Sequence, residues 1–285
     1  MIHTLRVKID NMNHKNLDFS HQNLKIRSFK GLNMNGANFS FSDIRGCNFS
    51  YTSLQEANFD NVKAGQTPQT FIFLTATALI TTIVFFHAVS QMVFGVIERT
   101  PESPVWVFAI ALLISLAITG IASAAMSFAR EKIILHRIFT TISGVVSGAI
   151  IGFFYGGTAA GGKNPQIAII SAILAGLIMM ISCFLFRREF IEITLSIGGA
   201  VANYGFAFLV GTRAIAFFST QNFIWGFCLS FLSLTYIGLT LISLRYSFKE
   251  ITNYSVTSFR CSNLTNASFN NAKLGLSDFT KAIRI

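Results

Sequence analysis

The sequence predicts a mixed fold: a six-transmembrane α-helical bundle set between two repetitive, polar end segments. Three observations predict it. The 285-residue chain is 52% hydrophobic and only 12% charged, whereas soluble domains average about 25% charged residues. Six apolar stretches crowd into residues 70–244. The flanks, 1–69 and 245–285, instead carry a large apolar residue at every fifth position. The first observation argues against an ordinary soluble enzyme, and more strongly against a disordered chain, which needs the opposite balance.

Residues 1–69 are rich in Asn and Ser. The opening MIHTLRVKIDNMNHKN has no apolar core of the kind a signal peptide needs. From there the fifth-residue series runs Phe19, Leu24, Phe29, Met34, Phe39, Ile44, Phe49, Leu54, Phe59. The residue before each is small and polar, as in Asp18, Asn23, Ser28 and Asn33, and the one before that is often small, as in Ala37, Ser42, Cys47 and Thr52. A period of five matches neither the 3.6 of a helix nor the 2 of a flat strand.

The six apolar stretches are Phe71–Ile97, Pro104–Phe128, Ile133–Tyr155, Ile167–Phe186, Phe190–Phe218 and Phe223–Leu244. About 20 apolar residues suffice to cross the hydrocarbon core as a helix, and in lipid the backbone must satisfy its own hydrogen bonds. All four prolines (Pro68, Pro101, Pro104, Pro165) lie at or outside the ends of these stretches, so no Pro kinks are expected. Basic residues set the orientation. Residues 1–69 hold eight Lys/Arg and 245–285 hold six. The second connection has Arg130, Lys132 and Arg137, the fourth has Arg187 and Arg188, and the odd connections have one each. The positive-inside tendency therefore puts both termini and the even connections in the cytoplasm.

After the helices the five-residue series returns as Tyr254, Phe259, Leu264, Phe269, Leu274 and Phe279. GANFS (36–40), GCNFS (46–50), EANFD (56–60), CSNLT (261–265) and NASFN (266–270) resemble the pentapeptide-repeat family, whose consensus is close to A(D/N)LxX. The resemblance covers residues 16–64 and 252–281, about a quarter of the chain, and says nothing of the six spans. It implies a right-handed quadrilateral β-helix with four pentapeptides per coil. Phe alternates with Leu, Met or Ile at the central position, so Phe would stack on two opposite faces and aliphatics on the other two. The C-terminal piece alone is short for a solenoid, which usually needs about three units. Both pieces fall on one predicted side, so the expectation is one β-helix assembled from both termini and interrupted by the helices. The expected domains are 1–69, 70–244 and 245–285.

Gyrase-directed members of the family imitate DNA with an acidic surface. Here 1–69 holds eight basic against five acidic residues and 245–285 six against two, a sign that cannot imitate a polyanion. Gly144, Gly148 and Gly152 form a GxxxGxxxG row suited to close helix packing, within the chain or in a homodimer. Polar groups inside spans are functional candidates by default. These are His87 and Gln91, which share one helix face, together with Asn203 and Arg213. Glu192, after Arg187, Arg188 and Glu189, reads as an interfacial ion pair, and no Asp or Glu sits at a span centre. Arg130-Glu131, Arg188-Glu189 and Lys249-Glu250 follow the even-numbered spans as a faint repeat.

Catalytic signatures (HExxH, GxSxG, P-loop, Rossmann glycines) are missing, and GGTAAGGKN at 156–164 reads as a flexible connection. Four scattered cysteines give no CxxC pair. The expectation is a non-enzymatic scaffold or interaction protein without cofactor or metal. It would be embedded in a lipid bilayer and bind a protein on the cytoplasmic side rather than nucleic acid. The resemblance to membrane-embedded pentapeptide proteins of cyanobacteria implies a plasma or thylakoid membrane. The alternative is a small-solute channel or transporter lined by His87, Gln91, Asn203 and Arg213.

Overall fold

The computed structural model describes residues 17–97, 102–103, 106–162, 164–185 and 188–284. Six helices follow in order: α1 Pro68–Ile97, α2 Trp106–Phe128, α3 Ile133–Ala159, α4 Pro165–Leu185, α5 Arg188–Ser219 and α6 Phe223–Asn253. All six are long and apolar enough to cross a membrane. The chain divides into two compact units. One comprises Met1–Phe73 with Ile251–Ile285, the other Leu74–Glu250.

The helices match the apolar stretches with two informative extensions. Helix α6 runs past Leu244 to Asn253, because Tyr246, Ser247 and Glu250 form a buried face on otherwise polar sequence. Helix α3 runs to Ala159, so Gly156 and Gly157 are helical rather than part of a flexible connection. Only Gly161 and Gly162 beyond them turn left-handed, each with φ 71°.

Small residues set the packing. A Cβ on Gly148 would come within 2.7 Å of the Ala175 carbonyl oxygen, and one on Gly152 within 2.4 Å of the Ser171 oxygen. The glycine row of α3 is thus filled by α4 of the same chain and is not a free face for a second copy. Helix α5 is the most enclosed. Its Gly198 and Gly205 admit Phe85 and Val89 of α1, and its Gly199 admits Ser123 of α2.

In the repeat unit one expectation is corrected. Among the described residues there is no β-strand and no sheet, so the implied β-helix with its strands is absent and the regular secondary structure is helical. Each five-residue unit is mostly turn. Leu24 and Phe29, for example, accept hydrogen bonds from the N–H three residues on. Only one residue per unit remains to pair, too little extended chain for a strand. These single residues make isolated parallel bridges in four columns: Asp18–Asn38–Asn58–Ser268, Asn23–Asp43–Lys63–Lys273, Ser28–Asn48–Ser258–Asp278 and Asn33–Ser53–Asn263–Ile283.

The columns run from the N-terminal segment into the C-terminal one without a change of register. Ser258 takes the position that the next N-terminal unit would have held, and the helices are inserted at that corner. Gln66 ties the two ends of the insertion by donating to the carbonyls of Ile251 and Tyr254, at 3.0 and 2.7 Å.

Sequence explains this local geometry. The side-chain oxygens of Asp18, Asn38, Asn48, Asn58, Asn263 and Asp278 accept the backbone N–H two residues on. This is the Asx turn, which favours a small polar residue at that position. Inside, Phe19, Phe39, Phe59 and Phe269 stack at 5.1, 4.9 and 4.9 Å. Phe29, Phe49, Phe259 and Phe279 stack at 5.0, 5.1 and 4.9 Å. The two columns meet edge to face, a favoured aromatic geometry. Leu24 and Ile44 fill a third column with Leu274, and Met34 and Leu54 a fourth with Leu264. From Ala37 to Ala57 the residue two before the core position is small and buried, and the hydroxyls of Ser42 and Thr52 and the thiol of Cys47 bond coil carbonyls.

Candidate functional site

Two groups of residues stand out beyond packing. One lies on the repeat surface, the other inside the helix unit.

Each repeat unit turns its corner through a residue with positive φ. At many corners the residue is one that tolerates this conformation: Gly31, Gly36, Gly46, Asn61, Asn266 and Asn271. Ile26 (φ 62°), Phe41 (φ 57°) and Tyr51 (φ 60°) occupy the same conformation. They are 63%, 57% and 59% exposed. A β-branched residue at positive φ is a strained outlier, costing on the order of 1–3 kcal/mol, and these side chains recover little of that by burial. His21 stacks on Phe41 at 4.9 Å, and the Lys30 ammonium lies 5.7 Å from the Tyr51 ring.

Nearby charges are largely spoken for. Burial pushes the Asp43 carboxyl up, but the Arg45 guanidinium, at 2.9 and 2.6 Å, together with Lys25 at 3.3 Å, outweighs it and holds the carboxyl below its ordinary range. Asp60 links the two segments, accepting from Ser268 Oγ at 2.5 Å and from the Asn270 backbone N–H at 2.8 Å. The Ser268 hydroxyl first, and Asn270 with it, hold the Asp60 carboxyl low against the opposing effect of burial. Burial pushes the Cys47 thiol up to about 12, so this cysteine is inert.

In the helix unit the four nominated polar residues are not brought together. His87 is exposed on α1 and bonds the Tyr155 hydroxyl at 3.2 Å. Gln91 is exposed one turn on. Asn203 is buried and donates to the Gly120 carbonyl at 3.2 Å. Arg213 is exposed, with its guanidinium 6.0 Å from the Trp106 ring. A cavity of about 760 Å³ among α1 to α4 is lined by Met92, Leu112, Ile150, Phe153 and Ile173 among others, and by none of the four.

What the sequence reading missed is a buried group at the opposite ends of α3, α5 and α6. Glu192 is buried, 4% exposed. Its Oε2 accepts from the Tyr246 hydroxyl at 2.7 Å, and its Oε1 lies 3.5 Å from His136 Nε2. Arg130 pairs with the buried Glu250 at 2.9 Å, joining the first and third members of the faint basic–acidic repeat. The available signal was periodicity: His136 and Thr140 on α3, and Glu192 and Ser196 on α5, are spaced to share a helix face.

Pentapeptide repeats match residues 28–63, in eight copies, so this segment of the chain carries pentapeptide repeats. No curated protein matches it. No solved structure matches it either.

Proposed function

We propose that this protein is a non-enzymatic, membrane-embedded interaction protein whose repeat unit offers a preformed surface to a protein partner. The observation that carries the reading is the set Ile26, Phe41 and Tyr51, large apolar side chains kept exposed in a backbone conformation that Gly, Asn and polar residues such as His21, Glu56 and Lys281 occupy at other corners. Exposed aromatics of this kind are the residues that anchor protein interfaces. The six apolar helices support embedding in a bilayer. The basic excess of both flanks supports cytoplasmic ends. The resemblance supports a cyanobacterial plasma or thylakoid membrane.

The test is affinity capture from native membranes with the full chain and with the Ile26→Asn, Phe41→Asn, Tyr51→Asn triple variant. Asn is suited to positive φ, so the variant keeps the fold while losing the apolar surface. Loss of the captured protein supports the reading; an unchanged set of captured proteins refutes it. The channel or transporter alternative draws no support from the placement of His87, Gln91, Asn203 and Arg213.

A further inference from the structure

The cavity among α1 to α4 occupies one end of the helix unit. On α1 it is lined by Met92, Gly95 and Val96, in the last two turns. Its lining runs over 107–115 on α2, 149–158 on α3 and 165–173 on α4. Each of these segments borders the connection that joins α1 to α2 or α3 to α4. At ~1.5 Å per residue the three longer segments are about 12–14 Å long. One leaflet of a ~30 Å hydrocarbon core is about 15 Å thick, so the cavity is about one leaflet deep.

The two ends of the cavity differ in chemistry. Thr158, Gly162 and Asn164 line it beside the α3–α4 connection. Trp106 opens α2 next to the lining Val107, with the Arg213 guanidinium 6.0 Å from its ring. Trp is a residue of membrane–water interfaces. Toward the middle of the helices the lining is apolar apart from Ser115. The polar groups of the outer end are engaged locally: the Thr158 hydroxyl donates to the Phe154 carbonyl at 2.8 Å, and Asn164 Oδ1 accepts the Gln166 N–H at 3.1 Å. Recognition therefore falls to the apolar walls.

A space of about 760 Å³ is far larger than the gaps that close packing leaves inside a protein. Its walls suit water poorly, because a buried water makes about three hydrogen bonds to polar groups. Small residues keep the space open. A Cβ on Gly95 would meet nothing within 4 Å, and Ala109, Ala149, Ala168 and Ala172 line the cavity on the other three helices. Concave apolar sites of roughly 300–1,000 Å³ with a few polar groups are the usual form of a ligand pocket.

We propose that this cavity is a lipid site that takes one acyl chain of a bilayer glycerolipid. The ester end of the chain lies beside Thr158 and Asn164, and its terminal methyl lies at Leu112, Ser115 and Ile150. Two observations commit the occupant to a bilayer lipid over a compact solute. The depth matches one leaflet, and the polar end coincides with the end where a headgroup would remain in the interface. Binding makes and breaks no covalent bond. The inference rests on the reading of the helices as membrane-embedded and is independent of the repeat surface.

The test is photolabelling of the full chain in phosphatidylcholine nanodiscs that contain a phosphatidylcholine with a diazirine at the end of one acyl chain, read by mass spectrometry. Lipid around the bundle labels outward residues, whereas Leu112 and Ile150 are buried and are reached through the cavity. The expected result is adducts at Leu112, Ser115 or Ile150. They are lost in Gly95→Phe, whose ring fills the cavity, and kept in Gly95→Ala, which is too small to do so. They are also kept in Gly238→Phe, where a Cβ is equally unobstructed but outside the cavity lining. Absence of these adducts in the unaltered protein, or their survival in Gly95→Phe, overturns the proposal. Labelling by a free diazirine fatty acid and not by the phosphatidylcholine overturns it as well. Alkaline washing of the source membranes separates this inference from the embedding it rests on. A chain released by alkali refutes both, and a chain that stays in the membrane without the adducts refutes the lipid site alone.

Discussion

The two units are built inside out relative to each other. The repeat unit buries columns of Phe, Leu, Ile and Met and turns Asn, Asp and Ser outward into short-range turns. The helix unit turns its largest apolar residues outward, with Leu185 77% and Phe231 75% exposed, and encloses His136, Glu192 and Asn203. The same physics acts in both: apolar surface leaves water, and polar groups find partners. The difference is the solvent each surface suits. The inversion also separates what holds each unit together. Stacked rings hold the first. Small residues that let helices approach closely hold the second, the packing suited to helices long and apolar enough to cross a membrane.

That contrast predicts a ranking of mutational effects. The largest is in the repeat core. Phe49 is fully buried, stacked between Phe29 and Phe259 and edge-on to Phe39 and Phe59. Phe49→Ala leaves a ring-sized void and costs about 3–5 kcal/mol, read as a lowered unfolding midpoint of the repeat unit. A loss under about 1 kcal/mol would mean that the columns are not the core.

In the helix unit the damaging change adds atoms instead of removing them. Gly152→Ala drives a Cβ toward the Ser171 carbonyl and is expected to cost about 1–3 kcal/mol. A Cβ on Gly95 meets nothing within 4 Å, and Gly95→Ala leaves stability unchanged or slightly raised. Thermal unfolding in detergent separates the two; equal effects would contradict close packing as the organising feature.

The smallest effect is electrostatic. Asp18, Asp43 and Asp60 are all held below their ordinary range in the folded repeat unit. A depressed carboxyl contributes stability above its unfolded pKa, about 3.9, and loses it as pH falls through the folded value. The repeat unit should therefore hold a flat unfolding midpoint down to about pH 4 and weaken below it. Asp60→Asn should make that acid-side fall shallower. A midpoint that instead declines between about pH 5 and 8 would place the titrating groups elsewhere.

Much of this was legible in sequence because the signals are periodic. Hydropathy located all six helices, and the fifth-residue series located both repeat segments and the alternation of Phe with aliphatic residues. The resemblance carried strands with it, and these are not present, because each unit spends its residues on turns. The four polar residues chosen for standing inside apolar stretches turned out to be dispersed, since position along a helix does not say which way a side chain faces. His136 and Glu192 lie near stretch ends, beside Arg137 and Arg188, where a basic flank masks a buried pair. Only their spacing to Thr140 and Ser196, read together with the inward face of α6, points to the group, and which helices pack together is not written in a local pattern.

The central claim is that segments from both ends of the chain form one unit in the register of an uninterrupted repeat. Ser50 Oγ and Ser258 Oγ lie 3.1 Å apart across that junction. The direct measurement is disulfide formation in the full chain carrying Ser50→Cys and Ser258→Cys with Cys261→Ser, followed by cleavage in the connection at 161–164. The account predicts that the two halves stay joined under denaturing conditions until a reductant is added. Halves that separate without reductant, in protein that is otherwise folded, would contradict it.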